Sequence, residues 1–267
     1  MNIIVAIKQV PETSNVRMDP VTGTMIREGV ESIINPLDLY AIEAANQLKE
    51  AHGGKVTVLS MGPPNAEKAL KEAIAMGCDD AVLITDRAFA GADTWSTAYV
   101  LAKAIQEMRE YDLILCGERA TDGDTGQVGP NIAAALDVPL ATYVSDIESA
   151  DPARKGMLVW RMTEYGYEKL QLPLPALMTV VKEISFPRLP TLRGKQRARS
   201  AEIKVFNVSN LDVEKDKIGL KGSPTRVIKI ETPKVTRGGT IIKPADDQAL
   251  VDAVDQLVDF LKAKELR

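Results

Sequence analysis

Histidine occurs once in this chain, as His52, and cysteine twice, as Cys78 and Cys116. One imidazole cannot build a zinc triad or a Ser-His-Asp relay, so both are excluded unless another chain contributes residues. His52 stands beside Gly53-Gly54, where interaction with a helix C-terminus accounts for it. The two cysteines lack CxxC spacing, which removes zinc, iron–sulfur and disulfide-scaffold readings and leaves two small apolar residues in a reducing cytoplasm. No apolar run reaches the ~18 residues of a bilayer span. Neither a signal peptide nor an Arg-rich presequence precedes the first apolar run, so the expected location is cytoplasmic. Charge of one sign is not in excess: 33 Lys and Arg against 37 Asp and Glu leave −4, which argues against a nucleic-acid or anionic-membrane partner. The phosphate motifs GxxxxGK(S/T), GxGxxG and SGGxDS are missing too, so triphosphate hydrolysis is not indicated. Any chemistry then belongs to a cofactor.

What is present centres on Leu113 to Leu136, LILCGERATDGDTGQVGPNIAAAL. An apolar run through Cys116 breaks at Gly117 into a polar loop, and Gly126, Gln127, Val128, Gly129 and Pro130 lead into an Ala-rich helical pattern. Strand, loop and helix start in this order put unpaired backbone N–H groups and a helix dipole at a sheet's carboxyl edge, a setting for phosphate. Thr125 or Asp124 is suited to cap the helix, and Pro130 suits its first turn. Asp122 and Asp124 would repel a phosphate, so they are expected to cap or to accept ribose hydroxyls. The same residues also make an ordinary βα turn.

Apolar runs and helical patterns alternate along the first part of the chain. Strands are expected at Asn2–Lys8, Lys55–Met61, Ala81–Thr85, Leu113–Cys116 and Ala141–Ile147, and a hairpin over Val16–Val30. Helices are expected after Asn35-Pro36-Leu37-Asp38, over Ala66–Met76, Thr94–Arg109 and Val128–Leu136. Such βα repeats imply a doubly wound α/β fold with a mostly parallel sheet. Its carboxyl edge gathers Met61-Gly62, Asp86–Asp93 and Gly117–Pro130. Met157–Glu164, Tyr167–Leu172 and Ala176–Val181 form a β-excursion and a return to the sheet. Residues 184–204 carry the basic cluster, read as a solvated face or as a docking surface for an acidic partner. Residues 206–244 are broken by glycine and proline, and Ala245–Leu266 is an amphipathic helix that packs on its own sheet or grips another subunit. The expected division is an α/β domain over 1–205 and an arm over 206–267.

Several ordered motifs resemble the small (β) subunit of electron-transfer flavoproteins. They are IVAIKQVPET, NPLDLYAIEAA, VLSMGPP, LILCGERATDGDTGQVGP, FPRLPTLRGKQRAR, and VWRMTEYGYEKLQLPLPALMTVV with Arg161, Glu164 and Glu168. The resemblance implies an adenine-nucleotide α-hydrolase-like fold, a heterodimer with a flavin-bearing α subunit, and an arm embracing that partner. It implies nucleotide contacts at Ala6, Asn35, Pro36, Leu37, Asp38, Met61, and Ala120, Thr121, Asp122, Gly123 and Asp124 on through Pro130; Gly62, Asp93, Thr94, Cys116 and Gly117, in the same loops, are further candidates for the cofactor site. Ile184, Phe186 and Arg188 would meet a dehydrogenase of the acyl-CoA dehydrogenase kind. In one branch of the family the site holds AMP and the pair shuttles single electrons; in the other it holds FAD, takes hydride from NADH and feeds both a dehydrogenase and ferredoxin or flavodoxin. Thr85-Asp86-Arg87 resembles the second, bifurcating branch. Arg87 and Phe89 would then flank the isoalloxazine or the nicotinamide, the arginine favouring negative charge on the ring. An ATP-binding enzyme or sensor of the same fold is the rival reading.

Overall fold

The computed structural model describes residues 1–12, 17–18, 25–26, 31–108, 110–228 and 239–264, with 17–18 and 25–26 as backbone only. The first elements are β1 (Asn2–Ala6), β2 (Gln9–Pro11), β3 (Arg17–Met18), β4 (Met25–Ile26), β5 (Ser32–Ile34), α1 (Asp38–His52), β6 (Lys55–Met61), α2 (Glu67–Met76), β7 (Asp80–Ile84) and α3 (Thr94–Met108). There follow β8 (Leu113–Gly117), α4 (Val128–Leu136), β9 (Leu140–Asp151), β10 (Gly156–Thr163), β11 (Gly166–Pro173), β12 (Ala176–Val180), α5 (Leu192–Ser200), β13 (Lys204–Phe206), α6 (Gly219–Gly222) and α7 (Asp247–Ala263).

Nine strands form one sheet in the order β11-β10-β9-β12-β8-β1-β6-β7-β13. All neighbours pair in parallel except β9 with β10 and β10 with β11. This is the doubly wound α/β fold expected from the alternating pattern. Helices cover both faces, so the central strands are apolar at successive positions rather than at every second one. In β1, Ile3 and Val5 join a core with α1, α2 and Ala198 of α5, while Ile4 and Ala6 join a second core with α3 and α4. Leu113 and Leu115 of β8 take the first side, Ile114 and Cys116 the second. Each fully buried valine, leucine or isoleucine among them contributes about 2 kcal/mol.

The β-excursion is the antiparallel pair β10 and β11, where Arg161 lies opposite Glu168 at 3.8 Å. The 16–30 hairpin appears as the antiparallel pairing of Arg17–Met18 with Met25–Ile26; its tip at Asp19, Pro20, Thr22 and Gly23 lies outside the described residues, as does Arg109. β2 and β5 form a further antiparallel pair that the apolar pattern does not signal. The basic stretch contains α5, whose Gly194 lies so close to α2 that a methyl group there would fall 2.9 Å from the Ala75 carbonyl carbon. Arg197 of α5 donates to the carbonyls of Ile74 at 2.8 Å and of Cys78.

Contacts divide the chain into Met1–Ile228 and Lys229–Arg267 rather than at residue 205. Phe206, Leu211 and Ile218 are buried in the second core, so the glycine-broken segment after 205 belongs to the first unit as far as Ile228. Pro233 and Gly238 lie outside the described residues. In the second unit Asp246 caps α7 by accepting from the Ala249 N–H at 2.8 Å. Leu250, Val254, Leu257 and Leu261 stand exposed on one stripe of that helix. No helix among the described residues is long and apolar enough to cross a membrane.

Candidate functional site

From β1 the chain builds β6 and β7 to one side, then α3 carries it back to β8 on the other side of β1. Strand order reverses between β1 and β8, and at such a point the diverging loops open a crevice beyond the carboxyl ends. Two buried residues at the start of α1 hold its walls. Asp38 accepts from the backbone N–H of Lys8 after β1 (2.7 Å) and from that of Gly117 at the end of β8 (3.2 Å). Asn35, fully buried, donates to the Arg119 carbonyl (2.9 Å) and accepts from the Thr121 N–H (3.1 Å). Pro36 is exposed and Leu37 half-buried between them, and Leu37 packs against Gly117. Ala6 pairs with Cys116 across β1 and β8, both largely buried.

The loop over 117–130 does not cap its helix. Gln127 occupies the cap position of α4 with no side-chain capping bond, so neither Thr125 nor Asp124 plays that role. Asp124 sits in the left-handed region (φ +53) with its carboxylate 3.2 Å from Arg119, and Asp122 lies 2.7 Å from the Lys8 ammonium. Each acidic side chain is thus drawn toward a cation, which removes the expected repulsion of a phosphate. The backbone N–H groups of Thr125, Gly126 and Gln127 find no acceptor among the described residues. Gly126 has φ +63, a conformation suited to glycine, and Gly123 and Gly126 leave the backbone bare. Open amides, an uncapped helix start and paired acids fit an adenylate phosphate. Val128 and Pro130 are half-buried and Gly129 is buried against Thr179.

Neighbouring loops converge on this one. Thr94 at the start of α3 donates to the Gln127 side chain at 2.9 Å. Gly62 after β6 donates to Ile84 at the end of β7 at 3.0 Å, with Met61 half-buried beside it. Asp86 caps the short turn Arg87–Phe89 through the Ala88 N–H (2.9 Å) and also accepts from Val208 (3.2 Å). These bonds hold its carboxyl below the usual range. Arg87 is left exposed, with no ion pair among the described residues, whereas Phe89 is 4% exposed and packs inward in the second core. Asp93 is occupied by Ser96, which it caps at 3.0 Å, and by the Thr225 N–H and hydroxyl at 2.9 and 2.8 Å. Farther along, Ile184 is half-buried against the first core and Phe186 is 94% exposed. The Arg188 guanidinium is taken up within the chain by Glu43 and Glu50 of α1. Lys8 and Arg119 escape sequence reasoning, since only the fold brings them to Asp122 and Asp124.

Burial pushes the Asp38 carboxyl up to about 7 from its ordinary 3.8, against the pull of the Lys8 amide, the Asn35 side chain and the Gly117 amide. A raised folded value means that the folded state binds the proton more tightly, so this contribution to stability is full near pH 4 and declines until the pH passes about 7. The decline is on the order of 4 kcal/mol. Asp38→Asn cannot titrate, so its thermal unfolding temperature is expected to gain on that of the parent chain from pH 4 to 7 and to run parallel above. A gap that stays constant across that window would remove Asp38 as the titrating group.

The family model described as electron transfer flavoprotein domain matches residues 22–211. A protein named electron transfer flavoprotein subunit beta, from Thermoanaerobacterium thermosaccharolyticum, is 50% identical over 258 residues, covering 96% of this chain and 98% of that protein. The caffeyl-CoA reductase-Etf complex subunit CarD of Acetobacterium woodii is 43% identical over 267 residues, 100% of each chain. The protein FixA of Azotobacter vinelandii is 46% identical over 239 residues, 88% of this chain and 85% of its own.

Proposed function

Since the chain belongs to the electron transfer flavoproteins, as a β subunit, we propose that it works with an α subunit as the NADH-linked half of an electron-bifurcating pair and holds FAD in the crevice between β1 and β8. When bound, FAD supplies hydride uptake from NADH and one-electron release, toward the α-subunit flavin and a dehydrogenase on one side and toward ferredoxin or flavodoxin on the other. This chain's residues bind and orient it. The amides of Thr125, Gly126 and Gln127 receive phosphate, Asn35 and Asp38 keep the crevice walls at fixed spacing, and Lys8 and Arg119 neutralise the loop acids. The observation that carries the flavin reading over AMP is Arg87. It is exposed at the carboxyl edge of β7 on a turn fixed by Asp86, a positive group free to face a reduced ring. The end-to-end match to a subunit named for a reductase complex supports the same branch. Phe186, with Ile184 behind it, is the apolar surface offered to the dehydrogenase.

Counting the nucleotides released by denaturation from the co-expressed heterodimer tests this. Two FAD and no AMP per heterodimer are expected. One FAD with one AMP would make the protein a single-electron shuttle, with the 117–130 loop clamping a structural nucleotide.

A further inference from the structure

Tyr143 lies in the left-handed backbone region, φ +56, inside strand β9. A bulky aromatic residue rarely adopts this conformation. The register of β9 on β12 slips there: Ala141 pairs with Met178 and Val144 with Val180, so Thr142 and Tyr143 together face Thr179. That is a β-bulge, a device that re-aims a side chain. Thr179, 3% exposed, holds the bulge by accepting from the Tyr143 N–H at 3.1 Å. Its methyl group lies so close to Gly129 that a methyl added there would stand 2.6 Å away, so the same threonine supports the first turn of α4.

Core packing does not repay this conformation, because Tyr143 is 44% exposed. Its hydroxyl makes no hydrogen bond among the described residues and lies 3.8 Å from where a methyl group on Gly126 would sit. The Gly126 amide is likewise without an acceptor among the described residues. A phenol O–H and a backbone N–H, both beside one glycine and both without partners among the described residues, are left to serve a small acceptor.

We propose that Tyr143 is a positioning residue for the nucleotide, its hydroxyl donating to a phosphate oxygen held by the amides around Gly126. The inference rests on the nucleotide reading of the crevice and adds a contact from outside the loop. It also assigns a use to the bulge in β9: without it, the pleat would turn position 143 away from the loop.

The test compares AMP with adenosine as probes on the α–β heterodimer freed of β-subunit nucleotide, using the parent protein, Tyr143→Phe and Tyr143→Gly. Tyr143→Phe is expected to bind AMP about tenfold more weakly, the usual effect of losing a hydrogen bond to a charged group, while adenosine binding is unchanged. Tyr143→Gly is expected to weaken AMP at least as much, with an unfolding temperature no lower than that of the parent, since glycine accepts the backbone conformation. Tyr143→Phe binding AMP as tightly as the parent overturns the proposal. An equal loss for AMP and adenosine overturns it as well, because a purely structural role would move both alike. Failure of the parent heterodimer to bind AMP or FAD in the β subunit overturns the nucleotide reading itself, a separate result from loss confined to the variants.

Discussion

Gly117→Ala is expected to lower the nucleotide content of the heterodimer by more than tenfold and its stability by about 3 kcal/mol, an overpacking effect that nothing nearby can relieve. An added methyl group would press on the Asp38 carboxylate oxygen and lie 2.8 Å from the Leu37 carbonyl carbon. Neither can retreat. Asp38 is fixed by the Lys8 and Gly117 amides, and Leu37 is the cap residue that leads into α1. Relief therefore requires β8 to part from α1, which opens the crevice wall that both amides help to define. Gly123→Ala is the control for stability: a methyl group there meets nothing within 4 Å, and its unfolding temperature should match that of the parent. Nucleotide release from Gly117→Ala and thermal unfolding of both variants decide the matter. Equal behaviour would show that the glycine at 117 serves chain flexibility and not the close approach of α1.

Arg188→Ala is expected to lower stability by about 3 kcal/mol, because it strands a buried carboxylate. Glu43 on α1 is 4% exposed. Arg188 meets it with two parallel bonds, from Nε at 2.7 Å and from a terminal nitrogen at 3.0 Å, and reaches Glu50 about two turns farther along the same face. Burial alone would raise the Glu43 carboxyl; the hydrogen bonds and charge of Arg188 outweigh it and hold the group below its usual value. A lowered folded value gives stability that is present above the ordinary 4.5 and is lost as the pH falls through the folded value. The deficit of Arg188→Ala should therefore narrow below pH 4.5. Arg188→Lys should recover only part, since an ammonium cannot form the two-pronged contact. For a chain of this size the expected drop in unfolding temperature is roughly 6 to 12 °C. A drop of a degree or two, flat with pH, would mean that Glu43 finds water or another donor when Arg188 is absent.

These two sites differ in how much of them the amino-acid sequence announces. The strands of the doubly wound sheet are legible because burial on both faces demands unbroken apolar runs, as in Asn2–Ala6 and Leu113–Gly117, and the 117–130 loop is legible from its glycines and its place between strand and helix. Helix α5 is not, because LRGKQRARS buries only Ala198 and docks through backbone approach at Gly194, leaving no apolar stripe to read. The strand β13 is three residues long at a sheet edge and has no period to detect. Charge pairing is equally hidden. Glu43 and Arg188 are 145 positions apart, and Lys8 and Asp122 are 114 apart, so only the completed fold shows that one basic residue is structural and that the acids of the loop are neutralised. Tyr143 carries no local mark at all. Its importance is a matter of one backbone angle.

Asp93 accepts two bonds from Thr225, far along the chain. Thr225 is hooked at both its amide and its hydroxyl, and the compact unit ends only three residues later, at Ile228. Ser223, two residues before Thr225, is held as well, accepting from the Asp93 N–H at 2.8 Å and donating to the Gly219 carbonyl at 2.8 Å. The same aspartate caps α3 at Ser96, two residues beyond the Thr94 that touches Gln127. One carboxylate therefore fastens the last stretch of the first unit to the rim of the crevice, so that a change at Asp93 acts on both at once.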